Sequence, residues 1–160
     1  MSAVQDIFDL TDRVVLVTGA AGLIGSHFCK TLAKAQARVI AADIDPSGIN
    51  AIVEKLHSQE LAIEGLQMDI TDPDSIRSVM HMIEEKWGKL DVLVHCAALD
   101  PKFDPQHKEA HHTTFEDFPL ETWKRAIDVN LTGAFLCTQE AAKLMGKKGH
   151  GNIILFSSIY

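Results

Sequence analysis

The chain has 160 residues, 46% of them hydrophobic and 23% charged, which is typical of one globular domain. The formal net charge of −7 argues against general nucleic-acid binding, which needs clustered Lys and Arg, and favours a small-molecule partner or another copy of the chain. No apolar run is long enough to span a bilayer, and the first ten residues lack a signal-peptide pattern, so we expect a cytoplasmic protein.

The first half of the chain alternates apolar runs with amphipathic ones. A short β-branched run at 13–17 predicts a buried strand. The helix predicted after it carries an apolar face of Ile24, Phe28, Leu32 and Ala35. A second strand, predicted at 38–42, has Asp43 at its carboxyl end, and Asp45-Pro46 predicts the start of the next helix.

The same alternation continues through the middle of the chain. A third strand is predicted at 62–68, and Asp72-Pro73 predicts the start of a helix that ends at Gly88. The fourth strand, predicted at 90–95, has the strongest apolar pattern of the five. A long polar segment, 100–118, follows it.

The last part of the chain predicts one long helix and one strand. The helix, from residue 120 to about 145, carries an apolar stripe of Trp123, Ile127, Leu131, Ala134, Thr138 and Ala141. The strand is predicted at 152–156. Strands that alternate with helices imply right-handed crossovers, and nearly all-apolar strands imply helices on both faces. The predicted fold is α/β, a Rossmann-type doubly wound parallel sheet in one domain, 1–160, and a last strand without a covering helix predicts a fragment truncated after that strand.

A glycine-rich turn, Thr18-Gly19-Ala20-Ala21-Gly22-Leu23-Ile24-Gly25, lies between the first strand and the first helix. Small residues there let the backbone approach a diphosphate, whose charge is favoured at a helix N-terminus. Asp43 follows about 20 residues later, where a carboxylate can bind ribose hydroxyls and would repel a 2′-phosphate. Since no Arg or Lys occurs in the turn or directly after Asp43, the pattern favours NAD over NADP. A turn that serves packing alone and a merely solvated Asp43 stay open as alternatives.

Six marks resemble the short-chain dehydrogenase/reductase family, in the family's order: TGAAGLIG at 18–25, Asp43, MDITD at 68–72, HCAA at 95–98, VNLTGAF at 129–135 and NIILFSS at 152–158. The resemblance implies a pyrophosphate site lined by Gly19, Gly22, Leu23, Ile24 and Gly25. It also implies a contact from Asp43 to the adenine ribose, contacts from Asp69 and Ile70 to the adenine, and a crevice shaped beside the ribose by Ala97 and Ala98. For Asp69, a helix-capping role together with Asp72 is the alternative.

The resemblance also implies a reaction. Asn130 would be the active-site Asn that supports a water-linked proton relay, and Ser158 would hydrogen-bond the reacting oxygen. The family's catalytic Tyr and Lys would fall beyond Tyr160, so we expect no meaningful turnover by the 160-residue chain itself. The full-length protein is expected to be an NAD-dependent oxidoreductase that moves hydride between nicotinamide and an alcohol or ketone, and to form a homodimer or homotetramer.

Departures from the family pattern leave the subfamily open. The turn reads TGxxGxxG and HCAA stands where NNAG is usual, and both features lean toward the extended branch of sugar-nucleotide epimerases and dehydratases. VNLTGAF and the run 156–158 resemble the main group instead. ALDPKFDP at 98–105 and SSIY at 157–160 resemble bacterial relatives linked to flagellin-modification or surface-glycan sugar pathways. A non-catalytic NAD-binding module is the third interpretation, and the presence of Asn130 and Ser158 argues against it.

The polar segment 100–118 follows the carboxyl end of a central strand, where ligands bind in open α/β sheets. It is expected either to shape the substrate pocket or to be a solvated loop. The side chains that could meet an anionic substrate group, such as a phosphate, are Lys102, His107, Lys108, His111 and His112.

Other reactive residues predict no further chemistry. Neither an acidic nor a Cys partner completes a zinc site around His107 and His111, and the widely spaced cysteines, Cys29, Cys96 and Cys137, predict free thiols. His95 is expected beside the cofactor or simply hydrogen-bonded. No G-x-S-x-G elbow surrounds Ser157-Ser158, which excludes a serine hydrolase.

Overall fold

One parallel sheet of five strands organises the chain, seen in a computed structural model that describes residues 8–100 and 114–157. The strands are β1 (Val14–Thr18), β2 (Arg38–Asp43), β3 (Ile63–Gln67), β4 (Val92–His95) and β5 (Asn152–Leu155). Their order across the sheet is β3-β2-β1-β4-β5. The order reverses direction between β1 and β4, so a crevice is expected at the carboxyl ends of these two strands.

Helices cover both faces of the sheet. They are α1 (Leu23–Lys34), α2 (Pro46–His57), α3 (Pro73–Trp87), α4 (Leu120–Ile127) and α5 (Ala134–Gly146), with a π-helical segment (Asp128–Gly133) between the last two and a short 3-10 turn (Phe115–Asp117) before them. All five β1 residues are buried, since apolar side chains of α1 and α2 pack on one face and those of α3 and α5 on the other. The predicted doubly wound α/β fold is confirmed.

Three helix ends follow the local signals in the sequence. The carboxylates of Asp45 and Asp72 accept hydrogen bonds from the backbone amides of Ser47 and Asp74, which caps the N-termini of α2 and α3. Gly88 ends α3 in the left-handed conformation, at φ +67°. These predictions are confirmed.

The buried face of α1 lies one residue further along than predicted. Gly25, Cys29 and Ala33 are buried, whereas Ile24 is 54% exposed. Small side chains on this face let the helix pack closely on the sheet, while Phe28 and Leu32 of the predicted face are partly buried at its flank.

The helix predicted over residues 120–145 changes its hydrogen-bond register in the middle. A π turn holds more residues than an α turn, so the helical phase shifts across Asp128–Gly133. The predicted apolar stripe therefore does not stay on the sheet side, and Trp123 and Leu131 are 57% and 64% exposed. Cys137 and Ala141, beyond the π-helical segment, are buried.

Candidate cofactor and active site

A cavity of about 900 Å³ opens at the carboxyl edge of the sheet. Its volume is within the range of small-molecule and cofactor sites. The residues predicted to bind the cofactor that line it are Gly19, Gly22, Asp43, Asp69, Ile70, Ala97 and Ala98. The topology therefore brings segments from four different parts of the chain to one site.

The glycine turn is closely packed against the cavity wall. Gly19 has φ +64°, and a Cβ built on it would lie 2.6 Å from the Ala97 nitrogen. A Cβ built on Gly25 would lie 2.8 Å from the Gly19 carbonyl carbon and 2.9 Å from Ala20 Cα. Both positions need glycine because backbone atoms lie too close for a Cβ. The same two residues would therefore serve both packing and the binding of a diphosphate.

The first turn of α1 lies beside the cavity wall. Gly22 is its N-cap, with extended backbone and no side-chain cap. Leu23, Ile24 and Gly25 follow, and the amides of a first helical turn have no intrahelical acceptor. These amides are available to an anion, and the 80% exposure of Leu23 reflects its position outside the core.

Asp43, the last residue of β2, is held by two backbone amides. Its Oδ2 accepts from the Ala21 nitrogen at 2.9 Å and its Oδ1 from the Asp45 nitrogen at 3.1 Å. The carboxylate thereby connects the glycine turn to the start of α2. Each carboxylate oxygen keeps a further lone pair for a ligand hydroxyl.

Asp69 does not share the capping of α3. Its Oδ1 accepts from the Thr71 nitrogen at 2.8 Å and from Thr71 Oγ1 at 2.7 Å, whereas Asp72 caps the helix. Ile70 is 7% exposed and packs against Gly133 of the π-helical segment. The turn after β3 is therefore fixed by its own hydrogen bonds and by contact with that segment.

His95 ends β4 beneath the cavity wall. Its Nδ1 lies 2.9 Å from Thr18 Oγ1, and the Ala97 nitrogen donates to the same oxygen at 3.3 Å. Burial lowers the pKa of His95 below its usual value. The ring is hydrogen-bonded and forms part of the support of the wall.

The predicted active-site residues are only partly within the described chain. Asn130 lies in the π-helical segment, where its Nδ2 donates to the Leu99 oxygen at 2.8 Å and its Oδ1 accepts from the Leu99 nitrogen at 2.7 Å. Its side-chain amide thus holds the segment that leaves β4. Ser158 and the predicted anion-contacting set lie outside the described residues.

Sequence reasoning missed one wall of the cavity. Glu121, Lys124, Arg125 and Asp128 line it from α4 and the π-helical segment. Their spacing of three, four and seven residues places them on one helical face, which is the signal that could have identified them. Lys124 also donates to Glu121 at 2.9 Å, so part of this wall is internally paired.

The match to known proteins agrees with this architecture. Residues 13–160 match the family model of the short chain dehydrogenases. The chain belongs to this family. Members of the short-chain dehydrogenase family bind NAD or NADP.

Individual relatives cover nearly all of the chain. The D-threitol dehydrogenase of Mycolicibacterium smegmatis is 30% identical over 94% of the chain, and the 3-oxoacyl acyl-carrier-protein reductase FabG of Thermotoga maritima is 31% identical over 94%. A short-chain type dehydrogenase/reductase from Mycobacterium marinum superposes with a TM-score of 0.86 at 29% identity, over 99% of the chain and 60% of that structure. The chain spans 54% and 57% of the lengths of the first two relatives.

The three cysteines contribute no chemistry to the cavity. Burial raises the pKa of Cys29 and Cys137 to about 12 and that of Cys96 to about 11, so all three are neutral, poorly reactive thiols. Residues 8–100 and 114–157 contain no group of three or more side chains that could hold a metal ion. Within the same ranges, no helix has the length and apolar character of a membrane span.

Proposed function

We propose that the chain is the cofactor-binding part of an NAD-dependent oxidoreductase that acts on an alcohol or ketone. The carrying observation is the Asp43 carboxylate, fixed by the Ala21 and Asp45 amides at the edge of the cavity that the glycine turn lines. Gly19 and Gly25 let the turn pack without side chains in the way, since a Cβ at either would meet backbone atoms, and the first turn of α1 offers amides to a diphosphate. When bound, the nicotinamide supplies or accepts the hydride.

The charge of the cavity wall supports NAD over NADP. The lining has five carboxylates, Asp43, Asp45, Asp69, Glu121 and Asp128, against two cations, Lys124 and Arg125. A 2′-phosphate would add a charge of about −2 beside Asp43 and Asp45. Repulsion from this wall therefore disfavours NADP.

Packing at the same corner fixes Asp43 for a ribose. A Cβ built on Gly48, in the first turn of α2, would lie 2.6 Å from Ala21 Cβ. The helix start thus packs directly against the glycine turn, next to Asp43, whose remaining lone pairs can accept hydrogen bonds from ribose hydroxyls.

The relatives support hydride transfer as the reaction. A polyol dehydrogenase and a ketoacyl reductase are among them, which favours chemistry between a hydroxyl and a carbonyl over the epimerase or dehydratase alternative. The D-threitol enzyme favours a sugar-like substrate. In this proposal, Ser158 hydrogen-bonds the reacting oxygen and Asn130 holds Leu99 at the cavity.

The whole protein is proposed to form a homodimer or homotetramer through the surface of α4, the π-helical segment and α5. Three large apolar side chains there, Trp123, Leu131 and Phe135, are at least 57% exposed. Large exposed apolar side chains on one part of a surface are typical of protein interfaces.

Calorimetric titration of the chain with NAD⁺ and NADP⁺ tests the cofactor. NAD⁺ should bind, and NADP⁺ should bind at least about tenfold more weakly, which corresponds to about 1.4 kcal/mol. Asp43→Ala should weaken NAD⁺ binding about tenfold or more, because charged hydrogen bonds are lost, and should narrow the gap to NADP⁺. Glu54→Ala, which removes an exposed carboxylate of α2 outside the cavity wall, is the matched control. Equal or tighter binding of NADP⁺ by the wild type would refute the proposal.

A further inference from the structure

His95 is a buried, titratable side chain to which the proposed function gives no role. It is 5% exposed and stands in register with Thr18 on the neighbouring strand β1. Its Nδ1 lies 2.9 Å from Thr18 Oγ1, while its Nε2 has no hydrogen-bond partner among residues 8–100 and 114–157. The two ring nitrogens are therefore in different surroundings.

The hydrogen bonds of Thr18 decide which nitrogen carries the proton. Thr18 is fully buried, and its Oγ1 already accepts from the Ala97 nitrogen at 3.3 Å. The hydroxyl proton needs an acceptor, because an unpaired buried donor costs about 1–3 kcal/mol. Among the residues that the structure describes, His95 Nδ1 is the acceptor within reach of the Thr18 hydroxyl proton. With the proton on Nδ1, both the Thr18 hydroxyl proton and the Nε2 lone pair would lack partners, whereas with the proton on Nε2 only that N–H lacks one among residues 8–100 and 114–157. The neutral ring therefore carries its proton on Nε2.

The same hydrogen bonds continue into the wall of the cavity. The Cys96 backbone nitrogen donates to the Thr18 carbonyl oxygen at 3.1 Å. The nitrogen of the next residue, Ala97, donates to the Thr18 hydroxyl. On the other side, a Cβ built on Gly19 would lie 2.6 Å from the Ala97 nitrogen and 2.7 Å from its Cα. The Thr18 side chain, whose Oγ1 accepts from the Ala97 amide, thus helps to hold Ala97 against the glycine turn.

We propose that His95 is a positioning residue for the cofactor: its neutral ring accepts the Thr18 hydroxyl at Nδ1 and thereby fixes Ala97 against the glycine turn. The proposal rests on the proposed function, because the turn is taken to bind the diphosphate of NAD. In this proposal the role of His95 depends on its protonation state, whereas an Asn in the same place would accept the hydrogen bond at any pH.

Protonation of His95 would break this arrangement. An imidazolium presents a donor at Nδ1, so the Thr18 hydroxyl would lose its acceptor. Burial lowers the pKa of His95, so the neutral form is favoured at neutral pH. On the same sheet face, Thr18 and Leu155 of the flanking strands do not titrate, and Cys137 of α5 stays neutral because its pKa is about 12.

Charged groups also stand near the end of β4. Those on the cavity wall formed by α4 and the π-helical segment are Glu121, Lys124, Arg125 and Asp128. The next residue on β4, Cys96, has a pKa of about 11 and is neutral as well. Desolvation is the cause that lowers the pKa of His95. Burial, and not these neighbouring charges, is therefore what sets the direction of the His95 pKa shift.

Two substitutions separate the acceptor from the titration. In His95→Asn, the amide oxygen can take the place of Nδ1 as an acceptor and does not titrate. His95→Leu replaces the ring by an apolar side chain and removes the acceptor. NAD⁺ affinity is measured by calorimetry from about pH 8 down to about pH 4, so that the range extends well below the ordinary pKa of His. Ring nitrogen shifts of the ¹⁵N-labelled wild type give the tautomer directly.

Wild-type affinity should fall by up to about tenfold as the pH drops through the lowered pKa of His95, because one lost hydrogen bond corresponds to about a factor of ten. His95→Asn should retain most of the affinity at pH 8 and lose the pH dependence. His95→Leu should bind about tenfold more weakly throughout. The nitrogen shifts should show an unprotonated Nδ1 and a protonated Nε2.

A protonated Nδ1 at pH 8, or one affinity profile shared by the wild type and His95→Asn across the pH at which the ring nitrogen shifts report protonation, would overturn the proposal. If His95→Leu does not fold, Thr18→Val removes the hydroxyl with little change in shape, and Thr18→Ser restores it. Loss of affinity in the Val variant with near wild-type affinity in the Ser variant would support the step from the Thr18 hydroxyl to Ala97, while the comparison of the wild type with His95→Asn tests the step from His95; equal affinities of the two Thr18 variants would refute the proposal. A wild type that binds no NAD⁺ at pH 8 overturns the proposed function too, and the ring tautomer then still decides whether the His95–Thr18 bond exists.

Discussion

The side-chain amide of Asn130 is hydrogen-bonded to both backbone groups of Leu99, 31 residues earlier in the chain. The two bonds, of 2.7 and 2.8 Å, imitate one rung of a strand ladder between a helix and the segment that leaves β4. Leu99 and Val129, the neighbour of Asn130, both line the cavity. The amide therefore fixes the distance between two walls of the site.

Asn130→Ala should release Leu99. Because Asn130 is exposed, its two hydrogen bonds should contribute about 1–2 kcal/mol in total, so the Leu99 amide should exchange with solvent about tenfold faster or more. Gln139→Ala removes an exposed amide side chain from α5 and serves as the control. Hydrogen exchange followed by NMR measures both. Unchanged exchange at Leu99 would contradict this assignment.

Gly25→Ala should disrupt the glycine turn. The added methyl group would lie 2.8 Å from the Gly19 carbonyl carbon, and backbone atoms cannot yield as a flexible side chain can. The free energy of unfolding should fall by about 1–3 kcal/mol, and NAD⁺ binding should be lost. Gly146→Ala, at the end of α5, meets nothing within 4 Å and should leave stability unchanged or raise it by up to about 1 kcal/mol. Urea unfolding compares the two, and similar effects of both substitutions would rule out the steric reason.

Asp91 should stabilise the amino-terminal ends of β1 and β4, on the side of the sheet away from the cavity. Its side chain is 3% exposed, accepts from the Val14 nitrogen at 2.8 Å, and lies 3.2 Å from Arg13 Nη1 and 3.0 Å from Lys89 Nζ. Burial by itself raises the pKa of Asp91, but the Val14 amide and the two cations outweigh it, so the pKa is lowered. Asp91→Asn should reduce the free energy of unfolding by about 1–3 kcal/mol at neutral pH.

The effect of Asp91 should depend on pH in a defined direction. Since its pKa is lower in the folded chain, the unfolded chain binds the proton more readily, and the stabilisation is present above about pH 4. It should be lost as the pH falls through the folded pKa, so the wild type and Asp91→Asn should converge in stability in acid. Asp74→Asn, on an 86% exposed carboxylate, should show no such convergence because it has little effect at any pH. A constant difference between the wild type and Asp91→Asn down to about pH 2 would contradict the assignment.

Local chemistry explains why much of the fold could be predicted. Asp45, Asp72 and Gly88 determine helix ends through contacts within a few residues. The apolar composition of the strands indicates that they are buried on both faces. Asp43 could be placed at the site because it ends a strand whose neighbour carries the glycine turn. Each of these signals lies within one element or its immediate connection.

The missed features depend on contacts between distant parts of the chain. Two such contacts are made from the π-helical segment, by Asn130 with Leu99 and by Gly133 with Ile70. The apolar periodicity of a single helix cannot predict contacts of this kind. The exposure of Trp123 and the charged wall at Lys124 follow from the same change of helical phase. For α1, the choice of the buried face depends on how closely Gly25 allows the helix to approach the turn.

Gly133 and Ile70 should be energetically coupled. A Cβ built on Gly133 would lie 2.8 Å from Ile70 Cδ1 and 3.1 Å from the Ile70 oxygen. Gly133→Ala should therefore lower the free energy of unfolding by about 1–3 kcal/mol and weaken NAD⁺ binding, because Ile70 lines the cavity.

Ile70→Val removes the Cδ1 atom nearest to the added methyl group, and alone it should cost about 0.5–1.5 kcal/mol. In the Gly133→Ala background its cost should be smaller or reversed, with a coupling energy of about 0.5 kcal/mol or more. The same Ile70→Val substitution combined with Gly146→Ala should be additive, because no atom lies within 4 Å of a Cβ at Gly146. Urea unfolding of the four variants in each cycle gives both coupling energies. Additivity in the Gly133 cycle would mean that the helix moves away from Ile70 without cost, and the direct contact would then not determine the position of the π-helical segment.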